Sequence, residues 1–246
     1  MNSIISLIRR SKRMIDWHSH ILPGMDDGSR DVAESMAMLE MEAAQGIRTV
    51  VATPHFYAND ESLESFLDRR SAAFAALKAQ LPKDAPEVVL GAEVRYYQGI
   101  SRMEDMKALR IGGSRLLLLE MPMITWTEYM IRELIELSAR SGIRLVLAHV
   151  ERYFGLQKRE LWKRLADHGI LMQVNASFLT TFASKRKAIS LLKEGSVRFV
   201  GSDCHNITTR SPQMGKALEL IQKKLGPEFV SQMNEYGYAL LAKNMV

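Results

Sequence analysis

Short apolar segments alternate with helical segments along the chain, and this alternation restricts the fold more than any other feature. Several segments, such as LLLL at 116–119, lack the polar alternation of a half-exposed strand and are typical of parallel strands covered on both faces. The predicted strands cover residues 14–17, 49–52, 88–90, 116–119, 144–148, 172–174 and 198–201. We therefore predict a single-domain α/β fold, a TIM-like (β/α)7 barrel. An open doubly wound sheet is the competing architecture, but the sequence has no Gly-x-Gly-x-x-Gly or P-loop motif for its nucleotide-binding form.

Capping and stop signals predict the helices between these strands. Asp31-Val-Ala-Glu34 has the form of a capping box, and Gly46 is expected to end the helix that it opens. The predicted helices cover residues 31–45, 62–80, 128–141, 156–168, 185–194, 214–225 and 228–242.

Composition indicates one large folded domain. The chain has 246 residues, of which 47% are hydrophobic and 25% charged. Its single cysteine, Cys204, excludes a disulfide framework, and no apolar run approaches the roughly 20 residues needed to span a bilayer. We therefore expect a cytoplasmic protein. No basic stripe interleaved with aromatic residues suggests nucleic-acid binding.

The first 13 residues differ from the rest of the chain. Arg9, Arg10, Lys12 and Arg13 supply four positive charges, against a net charge of +5 for the whole chain. We expect residues 1–13 to be a disordered basic extension or the product of an upstream start, and residues 14–246 to form the folded domain. Peripheral contact of residues 4–13 with an anionic membrane surface is the alternative.

Residues of the types that can bind metal ions follow almost every predicted strand. Six of the seven strand ends carry His, Asp or Glu, and the seventh carries Asn175. The candidates are His18 and His20, His55, Glu93, Glu120, His149, and Asp203 with His205; the loop at 22–28 brings Asp26 and Asp27 close behind the first pair. The carboxyl ends of parallel strands meet at one rim, so these side chains are expected to converge. His168, the sixth histidine, is predicted to be a surface residue in the last turn of a helix.

So many nitrogen and oxygen ligands exceed the needs of one ion. Two or three divalent cations fit better, with a bridging carboxylate such as Glu93 between them. Mixed imidazole and carboxylate ligands suit manganese, iron or zinc. Such a centre lowers the pKa of a bridging water, and the resulting hydroxide can attack phosphorus. Arg152 and Arg210 lie close to His149 and His205 in the sequence, and arginine forks match phosphate oxygens, so a phosphate ester is the leading substrate class.

Six sequence segments together resemble one protein family. They are DWHSHILPGMDDG at 16–28, ATPH at 52–55, GAEVR at 91–95, LEMP at 119–122, AHVERY at 148–153 and SDCHN at 202–206. Their order and spacing resemble those of the bacterial metal-dependent protein-tyrosine phosphatases of capsule and exopolysaccharide loci, in the polymerase and histidinol phosphatase (PHP) superfamily. The resemblance runs from Met14 almost to the C-terminus.

The resemblance implies a distorted barrel with up to three metal ions, usually Mn²⁺. The implied ligands are His18, His20, Asp27, His55, Glu93, Glu120, His149, Asp203 and His205. Arg152 and Arg210 are the implied phosphate-binding residues, and Asp27 or a metal-bound water the implied proton donor. The implied substrate is a phosphotyrosine on a bacterial tyrosine kinase that controls polysaccharide export. Two positions depart from the family pattern: Val150 replaces a proline, and Trp17 replaces an aliphatic residue.

Three other functions remain open at this point. Cys204 and Arg210 have the Cys-x5-Arg spacing of thiol-based tyrosine phosphatases, although the intervening loop lacks glycine and the adjacent Asp203 opposes thiolate formation. A metal-dependent phosphatase of small molecules such as histidinol phosphate, or a phosphodiesterase, would use the same ligands. A binding module with a vestigial metal site is the third possibility.

Overall fold

Nine parallel β-strands organise residues 14–242, which are the residues that this computed structural model describes. The strands are β1 Met14–Ser19, β2 Ile47–Ala52, β3 His55–Phe56, β4 Glu87–Leu90, β5 Glu93–Arg95, β6 Leu116–Glu120, β7 Arg144–Leu147, β8 Leu171–Asn175 and β9 Phe199–Gly201. One sheet has the order β1-β2-β4, and the other has the order β3-β5-β6-β7-β8-β9. The predictions for residues 1–13, and the last four residues of the predicted domain, lie outside the described residues.

Two of the predicted strands, β2 and β4, are each followed by a short strand that was not predicted, and this raises the strand count from seven to nine. The chain leaves β2 through Thr53-Pro54 and enters β3, and it leaves β4 through Gly91-Ala92 and enters β5. Pro54 cannot donate a ladder hydrogen bond, so a continuous strand is interrupted there. The two interruptions lie side by side, because the backbone N–H of Glu93 donates to the carbonyl of Pro54 at 3.0 Å. His55 and Glu93 therefore begin strands of the second sheet, whereas the sequence placed them after strands of a single sheet.

The sheets curl so that the last strand meets the first. Ser19 and Cys204 form an isolated parallel bridge, and the N–H of Asp203 donates to the carbonyl of His18 at 2.8 Å. The result is a mixed α/β single domain with a curled, parallel half-barrel sheet. The prediction of a complete (β/α)7 barrel is not confirmed, since the pairing divides the strands between two sheets.

Eight α-helices surround the strands within the described residues. They are α1 Val32–Ala44, α2 Leu63–Lys78, α3 Glu128–Ala139, α4 Arg159–Asp167, α5 Ala176–Thr180, α6 Lys185–Lys193, α7 Met214–Leu225 and α8 Pro227–Leu241. All seven predicted helices are present, but α4 begins three residues later than predicted, because a 3-10 helix, Val150–Tyr153, and a turn precede it. The short helix α5 was not predicted. None of the helices in this part of the chain is long and apolar enough to cross a membrane.

The capping box at α1 is only half formed. The Asp31 carboxylate accepts a hydrogen bond from the N–H of Glu34 at 2.9 Å, as predicted. Glu34 does not complete the box at Asp31, however, because its carboxylate accepts from both the N–H and the Nε–H of Arg30, at 3.0 and 2.9 Å. The arginine beside the cap thus competes successfully for the glutamate.

The packing of Trp17 explains how this chain accommodates an indole in β1. The ring is buried, and its centroid lies 4.4 Å from that of Phe199 in β9. Helix α8 covers it with Gly237, where a Cβ atom would lie 2.7 Å from the indole Cζ2. The glycine therefore leaves the space that the larger side chain fills.

Candidate metal centre

The nine side chains predicted as ligands converge at one end of the strands. His18 lies in β1, His55 begins β3, Glu93 begins β5 and Glu120 ends β6. The others lie in the segments that follow the strands: His20 and Asp27 after β1, His149 after β7, and Asp203 and His205 after β9. His168 lies outside this cluster, exposed, with its Nδ1 2.8 Å from the carbonyl of Arg164.

Glu93 lies at the middle of the cluster and contacts four imidazoles. One of its oxygens, Oε2, lies 3.1 Å from His18 Nε2, 3.3 Å from His20 Nε2 and 3.2 Å from His55 Nδ1. The other, Oε1, lies 2.8 Å from His149 Nε2. The side chain is only 1% exposed, so a carboxylate in this position can join neighbouring cation sites out of contact with bulk water.

The potential ligand atoms fall into three overlapping groups. Within each group the atoms lie within 4.8 Å of one another. The groups are His20 with Asp27, His55 and His205; His18 with His20 and Asp203; and His55 with Glu93 and Glu120. His149 joins them through Glu93 and through Glu120, whose Oε1 lies 3.6 Å from its Nε2. These overlaps place several candidate cation positions side by side.

Two buried imidazole nitrogens support metal binding independently of the spacing. His55 Nδ1 and His205 Nε2 are buried and have no hydrogen-bond partner of good geometry among residues 14–242. A Glu93 oxygen lies 3.2 Å from His55 Nδ1, and an Asp27 oxygen lies 3.4 Å from His205 Nε2. At these separations the nitrogen and the oxygen of each pair can coordinate the same cation. Buried polar atoms are rarely left unsatisfied in folded proteins. A divalent cation coordinated by these nitrogens would satisfy them, so the residues fit the metal.

Neighbouring carboxylates raise the pKa of two of the clustered histidines and of one clustered glutamate. Burial lowers the pKa of His20, but the hydrogen bond and charge of Asp26, together with Glu93, outweigh burial and raise the pKa to about 10. Glu93 and Asp203 likewise raise the pKa of His18 against the effect of burial. Burial and the nearby charge of Glu93 raise the pKa of Glu120 to about 7. His18, His20 and Glu120 thus hold protons more tightly than usual in the space that cations would occupy, and metal binding would displace those protons.

Three side chains orient the histidines, and the sequence predicted this orienting role for none of them, although it placed Asp26 near His18 and His20. Asp26 Oδ2 lies 2.7 Å from His20 Nδ1 and accepts from the N–H of His55 at 2.8 Å. Gln173 Oε1 accepts from the N–H of His149 at 2.8 Å and lies 3.3 Å from His18 Nδ1. The Tyr153 hydroxyl lies 3.3 Å from His149 Nδ1. The Asp-Asp pair was visible in the sequence, but only the turn decides which carboxylate faces His20.

Replacing Asp26 with asparagine is expected to weaken metal binding about 10- to 100-fold, because the carboxylate fixes the tautomer and raises the basicity of His20. Calorimetric titration of the metal-free protein with Mn²⁺ measures the change. Asp31→Asn is the matched control, since asparagine caps a helix as well as aspartate does and Asp31 lies outside the cluster. An affinity equal to wild type in Asp26→Asn would show that this carboxylate does not support a ligand.

Two arginines at the edge of the cluster contact Asp203. Arg152 Nη2 donates to Asp203 Oδ2, and Arg210 Nη2 donates to Asp203 Oδ1 at 3.1 Å. Arg210 also reaches Asp27 Oδ2 at 3.3 Å. Their side chains are 37% and 40% exposed, so both guanidinium groups remain accessible from solvent at the mouth of the site.

The turn that carries Arg152 forms without the proline expected at position 150. The N–H of Arg152 donates to the carbonyl of His149 at 3.0 Å, and Val150 is fully buried. His149 adopts a left-handed conformation, with φ of +33°, which directs its ring toward Glu93. Burial of the valine therefore replaces the rigidity of a proline ring in holding the turn.

Cys204 points away from the cluster, although its two sequence neighbours belong to it. The thiol is buried, 4.0 Å from Glu42 Oε1, in a separate group with Asp16 and Glu42. Burial, and then the charges of Glu42 and Asp16, raise the pKa of the Cys204 thiol well above its usual range. A thiolate nucleophile needs the opposite environment.

Cys204→Ser is therefore expected to retain most of the activity toward an aryl phosphate, measured with the metal-loaded enzyme. Loss of a covalent nucleophile would instead reduce turnover by several orders of magnitude. A loss of that size, in a variant that still folds and binds metal, would support the thiol-based mechanism instead.

Comparisons with known proteins agree with this geometry. A family model described as "Capsular polysaccharide synthesis, CpsB/CapC" matches residues 14–237. Tyrosine-protein phosphatase YwqE of Bacillus subtilis is 32% identical over 95% of this chain and 93% of its own length. Tyrosine-protein phosphatase CpsB of Streptococcus pneumoniae is 32% identical over 89% of this chain and 94% of its own length.

Solved structures show the same relationship. A crystal structure from a study of YwqE from B. subtilis and CpsB from S. pneumoniae, described there as metal-dependent tyrosine phosphatases, matches with a TM-score of 0.77 at 28% identity. The match covers 95% of this chain and 96% of that one. A β-aspartyl dipeptidase from Fervidobacterium islandicum, at 15% identity and a TM-score of 0.51, shares the fold alone. The metal-dependent neighbour and the ligand groups together support the use of a divalent metal. The resemblance seen in the six sequence segments is thus confirmed, and the chain belongs to the CpsB/CapC family.

Proposed function

We propose that this protein is a metal-dependent protein-tyrosine phosphatase, which hydrolyses phosphotyrosine with divalent cations held by the nine converging side chains. The central observation is the position of Glu93, buried among four imidazoles, with two exposed arginines at the mouth of the same site. The tyrosine phosphatases that resemble this chain over most of its length support the same activity.

Two or three cations are proposed, with Mn²⁺ favoured and iron or zinc as alternatives. The nine ligands are imidazoles and carboxylates without a thiolate, which suits manganese, iron or zinc, and the family resemblance favours Mn²⁺ among them. When bound, the cations supply Lewis-acid polarisation of the phosphoryl group and a hydroxide nucleophile at neutral pH. The proposed ligands are His18, His20, Asp27, His55, Glu93, Glu120, His149, Asp203 and His205.

Arg152 and Arg210 bind the phosphoryl oxygens in this proposal. Both now contact Asp203, so an incoming phosphate would compete with that carboxylate for guanidinium N–H groups. Two forks directed at one phosphoryl group also neutralise charge that develops on its oxygens in the transition state.

Asp27 is the proposed proton donor to the leaving group. It is the most exposed carboxyl group of the cluster, 63% exposed, and it lies between Arg210 and His205 at the mouth. A tyrosine phenolate is a good leaving group, since the free phenol has a pKa of about 10. It therefore needs little protonation as it departs, and a proton donor at the edge of the site is sufficient.

The substrate proposed is a phosphotyrosine on a bacterial tyrosine kinase that controls capsule or exopolysaccharide synthesis. The family's description as capsular polysaccharide synthesis proteins supports this assignment. A cytoplasmic location, and a PHP-type, distorted TIM-like barrel over residues 14–246, are part of the same proposal.

Metal removal tests the proposed function. Exhaustive chelation should abolish hydrolysis of a phosphotyrosine peptide, and added Mn²⁺ should restore it. Parallel assays with histidinol phosphate and a phosphodiester test the alternative metal-dependent hydrolase activities. A kcat/KM for either compound higher than that for the phosphotyrosine peptide would reassign the substrate. Absence of hydrolysis of all three by the Mn²⁺-loaded protein would favour a binding module with a vestigial site.

A further inference from the structure

Phe182 is an unusually exposed aromatic residue. Its side chain is 84% exposed, more than any other large hydrophobic side chain of residues 14–242. It lies in the turn between α5 and α6, outside the hydrophobic core. A single exposed apolar side chain is common on protein surfaces, so the groups around the ring decide whether it belongs to an interaction site.

Four cationic side chains line the same cavity as this ring. Phe182 borders a cavity of about 730 Å³ between α6 and α7, together with Lys185, Arg186, Lys223 and Lys224. The ammonium group of Lys185 lies 4.5 Å from the centroid of the Phe182 ring. In the part of the chain that the structure describes, none of these four side chains forms an ion pair. The positive charge is therefore available to an anionic ligand.

Two separate segments of the chain form this surface. Helix α5, which leads to Phe182, begins at the end of β8, where Asn175 donates to Asp203 at 2.8 Å. Lys223 and Lys224 lie in the last turn of α7.

We propose that this surface binds an anionic phospholipid membrane, with the four cations on headgroup phosphates and Phe182 in the boundary between headgroups and acyl chains. A membrane interface satisfies both features at once, because it offers a sheet of negative charge and an apolar layer just beneath it. A soluble acidic peptide pairs with the cations but leaves the protruding ring in water. Binding in this way does not depend on the identity of the substrate.

Vesicle co-sedimentation with the full-length protein tests the proposal. The wild type is expected to bind vesicles of phosphatidylglycerol and phosphatidylcholine and not vesicles of phosphatidylcholine alone. Lys223→Ala/Lys224→Ala is expected to bind the anionic vesicles at least about tenfold more weakly, since each lysine near such a surface contributes appreciably. Phe182→Ala should weaken binding as well, with its effect persisting at high salt, where electrostatic attraction is screened.

The matched control is Lys83→Ala/Lys107→Ala, which removes two exposed lysines outside this surface. It should bind as the wild type does, and all variants should hydrolyse a soluble aryl phosphate equally. Residues 1–13 are unchanged throughout, so a difference between the two double variants belongs to the α6–α7 surface. Equal vesicle binding by both double variants would overturn the proposal. Displacement of the protein from vesicles by soluble glycerol phosphate would also overturn it. So would a result in which the Lys223/Lys224 variant binds an acidic peptide more weakly than the wild type but binds vesicles equally well.

Discussion

Replacing Glu93 with glutamine is expected to reduce phosphotyrosine hydrolysis by at least about 100-fold and to lower the number of bound metal ions. Loss of an orienting partner alone typically costs 10- to 100-fold in metal affinity or activity, and Glu93 itself contacts four imidazoles. Glutamine has nearly the same shape but lacks the charge that offsets bound cations. Metal analysis by mass spectrometry and steady-state kinetics measure the two effects on one preparation.

Glu133→Gln is the matched control for this substitution. Glu133 is also a buried glutamate, but it accepts hydrogen bonds from the Tyr96 hydroxyl and the N–H of Gly99, at 2.6 and 2.8 Å, away from the cluster. Its replacement is expected to lower stability while metal content is unchanged. If Glu93→Gln retained full metal content and activity, Glu93 could not be a bridging ligand.

Replacing Arg152 or Arg210 with alanine is expected to lower kcat/KM for a phosphotyrosine peptide by roughly 10- to 100-fold, the loss associated with a hydrogen bond to a charged group. Lysine at either position should recover only part of the loss, because an ammonium group cannot form the paired bonds of a guanidinium. The affinity for inorganic phosphate as a competitive inhibitor should fall in parallel.

Metal content must be measured with these variants, since both arginines contact Asp203. We expect it to be unchanged. Arg164→Ala is the matched control: its side chain has similar exposure, 43%, and is paired with Glu128 outside the cluster. Wild-type kcat/KM in both alanine variants would exclude the arginines from phosphate binding.

Much of the candidate site was predictable because its residues are tied to strand ends. In parallel strands the carboxyl ends meet at one edge, so His55 and His149 could be placed together although they are distant in sequence. The choice between adjacent residues was harder. Asp26 and Asp27 differ in role because the turn at 22–28 directs Asp26 toward His20 and leaves Asp27 at the mouth. Gln173 gave no signal, since a glutamine within a strand is not a typical orienting residue.

The fold was less predictable than the site. Helical periodicity and glycine stops located most helices, because those signals are local. The division into two sheets depends on how the chain turns at Pro54 and Gly91, and there the sequence suggested a loop rather than a new strand. The register His55 with Glu93 across β3 and β5 is a long-range pairing that local pattern does not specify.

Anomalous X-ray scattering from crystals of the Mn²⁺-loaded protein tests the central claim most directly. Two or three peaks are predicted inside the cluster, each within about 2.0–2.3 Å of imidazole nitrogens and carboxylate oxygens, with one of them adjacent to Glu93. The absence of a peak among His18, His55, Glu93 and His205, in crystals grown with saturating Mn²⁺, would contradict the metal centre and the phosphatase mechanism that depends on it.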